Sequence, residues 1–181
     1  MKRFLVVVDM QKDFVDGSLG TAEAQAIVPP VAEKIRSFDG TVFATLDTHG
    51  ANYLETSEGR HLPVAHCIKG TPGWQLNADV AAALEGKHAV VLEKPTFGSL
   101  ELVERIRQAA GGADFSVELI GLCTDICVVS NALLLKANFY EQTVRVDAAC
   151  CAGVTPENHR NALSAMQCCQ IDVLNIAPDA K

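Results

Sequence analysis

Gly121-Leu-Cys-Thr-Asp-Ile-Cys127 is the stretch from which the fold can be read. The residues before it, Phe115-Ser-Val-Glu-Leu-Ile120, are apolar enough for a buried strand, and Val128 to Ala137 after it carry a helical pattern. Cys127 therefore stands where a strand gives way to a helix. Backbone N–H groups lack partners at such a place and the helix dipole favours negative charge. A thiol there is expected to have a lowered pKa and to be a stronger nucleophile than free cysteine. The alternative is a small apolar residue packing the start of a helix.

Outward from this stretch the alternation repeats. Phe4–Val8 is a continuous apolar run, rich in β-branched residues, that suits a strand buried on both faces and ends at Asp9. A helix follows over Ala22–Phe38, broken or restarted by Pro29-Pro30. Thr41–Leu46 is the second strand, ending at Asp47, and a long irregular stretch runs from Thr48 to Trp74. Loops of that length are usually functional. A short helix over Leu76–Leu84 leads to a third strand, His88–Leu92, which is followed by Lys94. Ser99 caps a helix to Ala110. Beyond Cys127 come a fifth strand, Gln142–Val146, ending at Asp147, a helix over Pro156–Cys168 capped by Thr155, and a short last strand, Ile171–Leu174. The fold class expected is α/β: a parallel sheet with helices on both faces, as one domain over residues 1–181. In such sheets ligands bind beyond the carboxyl ends of the strands. Asp9, Asp47, Lys94, Cys127 and Asp147 all stand near those ends and are expected to converge.

Composition narrows the function. Hydrophobic residues make up 49% of the 181 and charged ones 20%, which is a globular balance. The net charge of −7, with no Lys/Arg cluster, argues against nucleic acid, which needs a basic face. No apolar run has membrane-spanning length, and Met1-Lys-Arg-Phe4 leads into a strand rather than a signal peptide. Seven cysteines, an odd number with no Cys-x-x-Cys spacing, read as reduced thiols in a cytoplasm.

A cysteine that attacks a carbonyl needs a proton acceptor, a field that favours thiolate and donors for the oxyanion. Asp9 can take the proton, Lys94 can stabilise both anions, and the N–H groups of Cys127 and Cys123 can hold the oxyanion. The alternative for Asp9 and Lys94 is a buried structural ion pair. Asp125 and Thr124 are expected to fix the turn before Cys127. A second constellation is Asp47-Thr-His49 with Glu58, His61 and His66. Asp-x-His puts two ligands on one side of an extended segment, and His66 adds a third from across the loop. Carboxylate with imidazole suits Zn, Mn or Fe, with Glu58 or its rival His61 completing the set. A polar loop with surface histidines is the alternative.

Taken in order, Asp9-Met-Gln-Lys-Asp-Phe14, Asp47-Thr-His49, His66-Cys-Ile-Lys-Gly-Thr71, Lys94 and Gly121-Leu-Cys-Thr-Asp-Ile-Cys127 resemble the isochorismatase-like cysteine hydrolases, and within them the nicotinamidase/pyrazinamidase branch. The resemblance implies a three-layer αβα fold on an open six-stranded parallel sheet, commonly in a homo-oligomer. It also implies an Asp9–Lys94–Cys127 triad and a non-proline cis peptide at Leu122-Cys123. In that branch a divalent metal, with Zn first and Mn or Fe as alternatives, holds the pyridine nitrogen. Asp47, His49 and His66 match its ligands, and Glu58 stands where some members place a fourth. Phe14 matches a residue that packs on the ring. The expected activity is hydrolysis of a small carboxamide, nicotinamide to nicotinate and ammonia, through a thioester. The alternative is another small amide, a carbamoyl or a ureido compound. Isochorismatases proper lack the Cys127 nucleophile, so vinyl-ether hydrolysis is not expected. One departure stands out. Val64-Ala65 replace the usual tryptophan before the last metal histidine, and Trp74, the only tryptophan, is expected to supply that wall or to pack in the core.

Overall fold

The computed structural model describes residues 1–176. The expected domain reaches Lys181, and 177–181 lie outside the described residues. Strands β1 (Lys2–Val8), β2 (Thr41–Asp47), β3 (Val90–Lys94), β4 (Phe115–Leu122), β5 (Thr143–Ala152) and β6 (Asp172–Leu174) form one sheet in the order β3-β2-β1-β4-β5-β6. Every neighbouring pair is parallel. The order reverses at β1, so the crossovers from β1 toward β3 and from β4 toward β6 lie on opposite faces.

Side-chain alternation builds the three layers. Phe4, Val6 and Val8 face one layer with Val117 and Leu119, against α6 (Leu100–Ala110), α7 (Val129–Asn138) and α8 (Pro156–Cys168). Leu5 and Val7 face the other with Ile120 and Leu122, against α3 (Val28–Ser37) and α5 (Ala78–Gly86). Each such Val or Leu removed from water contributes about 1.5–3 kcal/mol. Short helices α1 (Lys12–Val15), α2 (Ala22–Ala26) and α4 (Ser57–His61) are the other α-helices among the described residues.

The expected long helix over Ala22–Phe38 is two. The break falls at Ile27, and Pro29-Pro30 sit in the first turn of α3, where a missing N–H costs nothing. Strand β3 starts two residues later than expected and runs through Lys94. The irregular stretch after Asp47 contains a short 3-10 turn at Tyr53–Glu55 as well as α4.

Asp147 departs from its expected place. It is not the end of a strand, because β5 continues to Ala152. The register with β4 jumps from Leu119↔Val146 to Gly121↔Cys151, and this bulge carries the strand past Asp147. Asp147 sits inside the sheet layer with its carboxylate on Lys34 Nζ of α3 at 2.8 Å and on Asn175 Nδ2 at 2.9 Å. Lys34 also reaches Glu118 at 2.5 Å. Asp147 thus belongs to a structural ion cluster on the α3 face.

Candidate active site and metal centre

The carboxyl ends of β3, β2, β1 and β4 are neighbours in the sheet, and this adjacency brings Lys94, Asp47, Asp9 and Cys127 together. Asp9 follows β1 in a left-handed conformation, φ 48°, which costs a non-glycine residue energy and is held by its surroundings. Its N–H donates to Thr45 O at 3.2 Å and its carboxylate accepts from Thr45 Oγ1 at 2.7 Å. Lys94 Nζ lies 2.7 Å from Asp9 Oδ2, 3.4 Å from Cys127 Sγ and 3.2 Å from Asp47 Oδ1. Asp9 and Lys94 are essentially sealed from solvent, at 0% and 1% exposure.

Between β4 and α7 the chain makes a π-helical turn, Thr124–Val128, entered through a cis Leu122–Cys123 peptide. The N–H groups of Ile126 and Val128 both donate to the Cys123 carbonyl, at 3.1 and 3.0 Å. Asn131 Nδ2 donates to the Cys127 carbonyl at 2.8 Å and to Phe97 O at 3.0 Å, tying the turn to the loop before α6. Gly121 precedes the turn with φ +112°, and a Cβ there would lie 2.2 Å from Val8 O. Only glycine lets β4 approach β1 this closely.

The electrostatics differ from the expectation for Cys127. Burial, then the Asp9 charge, push its thiol well above the ordinary value, and the opposing Lys94 charge does not offset them. At this helix start, desolvation of the anion outweighs the field of one turn. Burial also raises the Asp9 carboxyl against the pull of Lys94. Burial works against charge on Lys94, but Asp9, Cys127 and Asp47 more than reverse it, so the ammonium is held firmly. The resting arrangement is a neutral thiol beside a carboxyl of raised proton affinity, bridged by a permanent cation.

Asp47 joins this cluster to a second one. Its Oδ1 faces Lys94, while its Oδ2 lies 2.9 Å from His49 Nε2 and 3.6 Å from His66 Nε2. Glu58 Oε1 lies 3.6 and 3.7 Å from the same two nitrogens. All four donor atoms fall within 4.8 Å of one another. Ligands about 2.0–2.2 Å from a tetrahedral ion stand roughly 3.3–3.6 Å apart, so these residues fit a divalent metal. His66 Nδ1 is engaged with Val64 O at 2.8 Å, which leaves Nε2 for a ligand role. His61 stands outside the cluster, with Nδ1 at 2.8 Å from Ser57 O, so Glu58 is the fourth candidate donor. Burial disfavours charge on Asp47, yet hydrogen bonds from both histidines and the Lys94 charge hold its carboxyl below the usual range.

Several residues that support these groups escaped the sequence reading. Gln11, fully buried, donates to Asp47 O and Trp74 O at 2.8 Å each and accepts from Asp47 N–H at 2.7 Å. Asp13 Oδ2 accepts from the Cys67 N–H at 2.8 Å and so pins the segment carrying His66. The Tyr53 ring packs 4.7 Å from His49 and 4.9 Å from His66. Gln11 and Asp13 lie inside the Asp9–Phe14 motif, and that proximity is the one signal that could have marked them.

Cys127, Asp47, Glu58 and His66 open on a cavity of about 390 Å³ whose apolar wall includes Phe14, Leu62, Phe97 and Ile126. Cys123 lines it as well. Phe14 also packs on His66, with ring centroids 5.4 Å apart. Trp74 does not line it. Its indole N–H donates to Thr48 Oγ1 at 2.9 Å and its partly buried ring packs against the core on the α3 face, the second of its two expected places.

Known proteins share this arrangement of chain. The family model described as Isochorismatase domain matches residues 3–177. A nicotinamidase/pyrazinamidase of Mycobacterium tuberculosis is 28% identical, over 95% of this chain and 98% of its own. The solved pyrazinamidase/nicotinamidase of Streptococcus mutans superposes with a TM-score of 0.83 at 27% identity, covering 96% of this chain and all of that one. The pyrazinamidase of Pyrococcus horikoshii, solved in complex with zinc, gives a TM-score of 0.77 at 28% identity, over 97% of this chain and 100% of its own.

Proposed function

Because this chain belongs to the isochorismatase family, we propose that it is a cysteine amidohydrolase that converts nicotinamide to nicotinate and ammonia. The observation that carries this reading is that Cys127, with Asp9 and Lys94 behind it, and a carboxylate–imidazole metal cluster open on one small cavity and share Asp47. A small aromatic amide with a ring nitrogen spans both.

In this mechanism Asp9 takes the Cys127 Sγ–H proton as the sulfur attacks the carboxamide carbon. The carbonyl π pair moves onto oxygen, which the Cys123 and Cys127 N–H groups receive. Asp9 returns the proton to the amide nitrogen, the C–N bond breaks and ammonia leaves. Water, deprotonated by Asp9, then attacks the thioester carbon. The C–S bond breaks, the sulfur recovers its proton and nicotinate departs. The raised proton affinity of Asp9 suits a group that must accept and then return a proton. Lys94 stabilises the thiolate as it develops, which relieves the desolvation that otherwise keeps the thiol neutral. Asp47, His49, Glu58 and His66 would hold a divalent metal, Zn before Mn or Fe, and the ion supplies a Lewis-acid anchor for the pyridine nitrogen. Phe14 offers a face for the ring.

The reaction is one of nicotinamide recycling, as in NAD salvage. Cys168 and Cys169 are exposed free thiols, which supports a cytoplasmic setting. No helix among the described residues is long and apolar enough to cross a membrane. A homo-oligomer, which the family resemblance implies, is part of the same reading. Ammonia release from nicotinamide by the purified protein tests the function. The expected result is turnover that Cys127→Ala abolishes, and turnover unchanged in that variant overturns the reading.

A further inference from the structure

Thr124 is fully buried, and a buried hydroxyl needs a partner. Its partner comes from another element: His159 Nδ1, in the first turn of α8, lies 2.8 Å from Thr124 Oγ1. The next residue of the turn is held from the same corner, since Asp125 Oδ1 accepts from the Val154 N–H at 3.0 Å. His159 is itself fixed, because its N–H donates to Thr155 O at 3.0 Å while Thr155 Oγ1 caps the helix at Asn158 N–H, 3.1 Å away. The start of α8 therefore grips the nucleophile turn at two successive residues, and the first of them directly follows Cys123.

Resting on the function proposed above, we infer that His159 is a positioning residue for the oxyanion site, acting through Thr124. A single peptide link separates Thr124 from the Cys123 N–H, so a shift of the threonine moves the donor directly. Asp9 and Lys94, which touch each other and reach Cys127 Sγ through Lys94, come from the ends of β1 and β3, whereas the side-chain contact of His159 is with Thr124. This separation gives the inference its signature. Loss of the Thr124–His159 hydrogen bond weakens stabilisation of the developing oxyanion, while nucleophile activation stays intact. Misplacement of a reacting group by about 1 Å lowers rates by about a hundredfold, and partial relaxation of the turn is expected to lower them by about tenfold.

The experiment compares wild type, His159→Ala, His159→Asn, Thr124→Val and the Thr124→Val/His159→Ala double variant, with nicotinamide as substrate. Asparagine can place a polar atom where Nδ1 stands. The expected result for His159→Ala is a kcat lower by about tenfold, with KM within about twofold. Alkylation of Cys127 by iodoacetamide, which needs no oxyanion donor, is expected at the wild-type rate. His159→Asn is expected to recover most of the kcat. Thr124→Val is expected to match His159→Ala, and the double variant to lose no more than either alone. An active wild type with an unchanged kcat in His159→Ala overturns the inference, as do equal losses of kcat and alkylation or additive losses in the double variant. Should His159→Ala not fold, Thr124→Val and His159→Asn decide by the same readouts. A wild type that releases no ammonia from nicotinamide overturns the function reading, and this inference with it.

Discussion

Gly121→Ala places a methyl group between the strand that ends in Asp9 and the strand that leads to Cys127. The added Cβ would stand 2.2 Å from Val8 O and 2.9 Å from Val8 N. An ordinary carbon–oxygen contact is about 3.3 Å, so β1 and β4 must part by about 1 Å. Val8 immediately precedes Asp9, and Gly121 is two residues before Cys123, so the gap opens between the base and the oxyanion turn. Displacement on this scale lowers kcat by about a hundredfold. The same change strains the backbone, since φ at this position is +112°. Overpacking costs about 1–3 kcal/mol, and the unfavourable φ about 1–2 kcal/mol more. A loss of about 3 kcal/mol lowers the unfolding temperature of a chain this long by about 6–12 °C. The assay pairs kcat for ammonia release with thermal unfolding of the same sample. A kcat within about twofold of wild type, together with an unfolding temperature within about 2 °C, would refute the close-approach argument.

Three other outcomes are expected. Asp9 must be unprotonated to accept the thiol proton, and burial raises its proton affinity, so kcat/KM falls as pH drops through a value above the ordinary 3.8. A pH profile whose acid limb lies at or below that value contradicts the role given to Asp9. Chelation followed by dialysis lowers the unfolding temperature and Zn restores it, the metal adding about 2.7 kcal/mol of stability when its free concentration is about a hundred times its Kd. Asp47→Asn should lose most of that increment, and a wild type indifferent to metal would remove the centre from the account. Phe14→Ala raises KM for nicotinamide by up to about tenfold through lost ring packing, whereas Trp74→Phe leaves KM unchanged because the indole lies off the cavity. Equal effects of the two substitutions would contradict this placement.

Much of the fold was legible because strands buried on both faces write continuous apolar runs. Phe4–Val8, Thr41–Leu46 and Phe115–Ile120 announced themselves in this way, and the residues just beyond them, Asp9, Asp47 and Cys127, meet at the site. Asp147 misled because a charge after an apolar run looks like a strand end. Its neutralising partner, Lys34, is far away in sequence, and only the folded chain shows the pair. The proton affinity of Cys127 was misjudged for a related reason, since the position was visible but its desolvation was not. Gln11 and Asn131 look like surface polar residues in the sequence, yet Gln11 bonds to Asp47 across the fold and Asn131 ties the Cys127 carbonyl to the Phe97 segment. Phe97 looks like a loop aromatic until the Asn131 contact brings its segment to the cavity. The candidate metal cluster was half legible: the Asp47-x-His49 spacing and His66 stood out in the sequence, while that Glu58 rather than His61 joins them depended on how α4 turns its side chains.

The central claim is that the Cys127 sulfur becomes bonded to the acyl carbon during turnover. Rapid acid quench of the protein mixed with nicotinamide, followed by mass spectrometry of peptides, tests it most directly. A nicotinoyl thioester on the peptide carrying Cys127, absent in Cys127→Ala, is the predicted result. Steady ammonia release with no acyl group on Cys127 at any quench time would contradict the account.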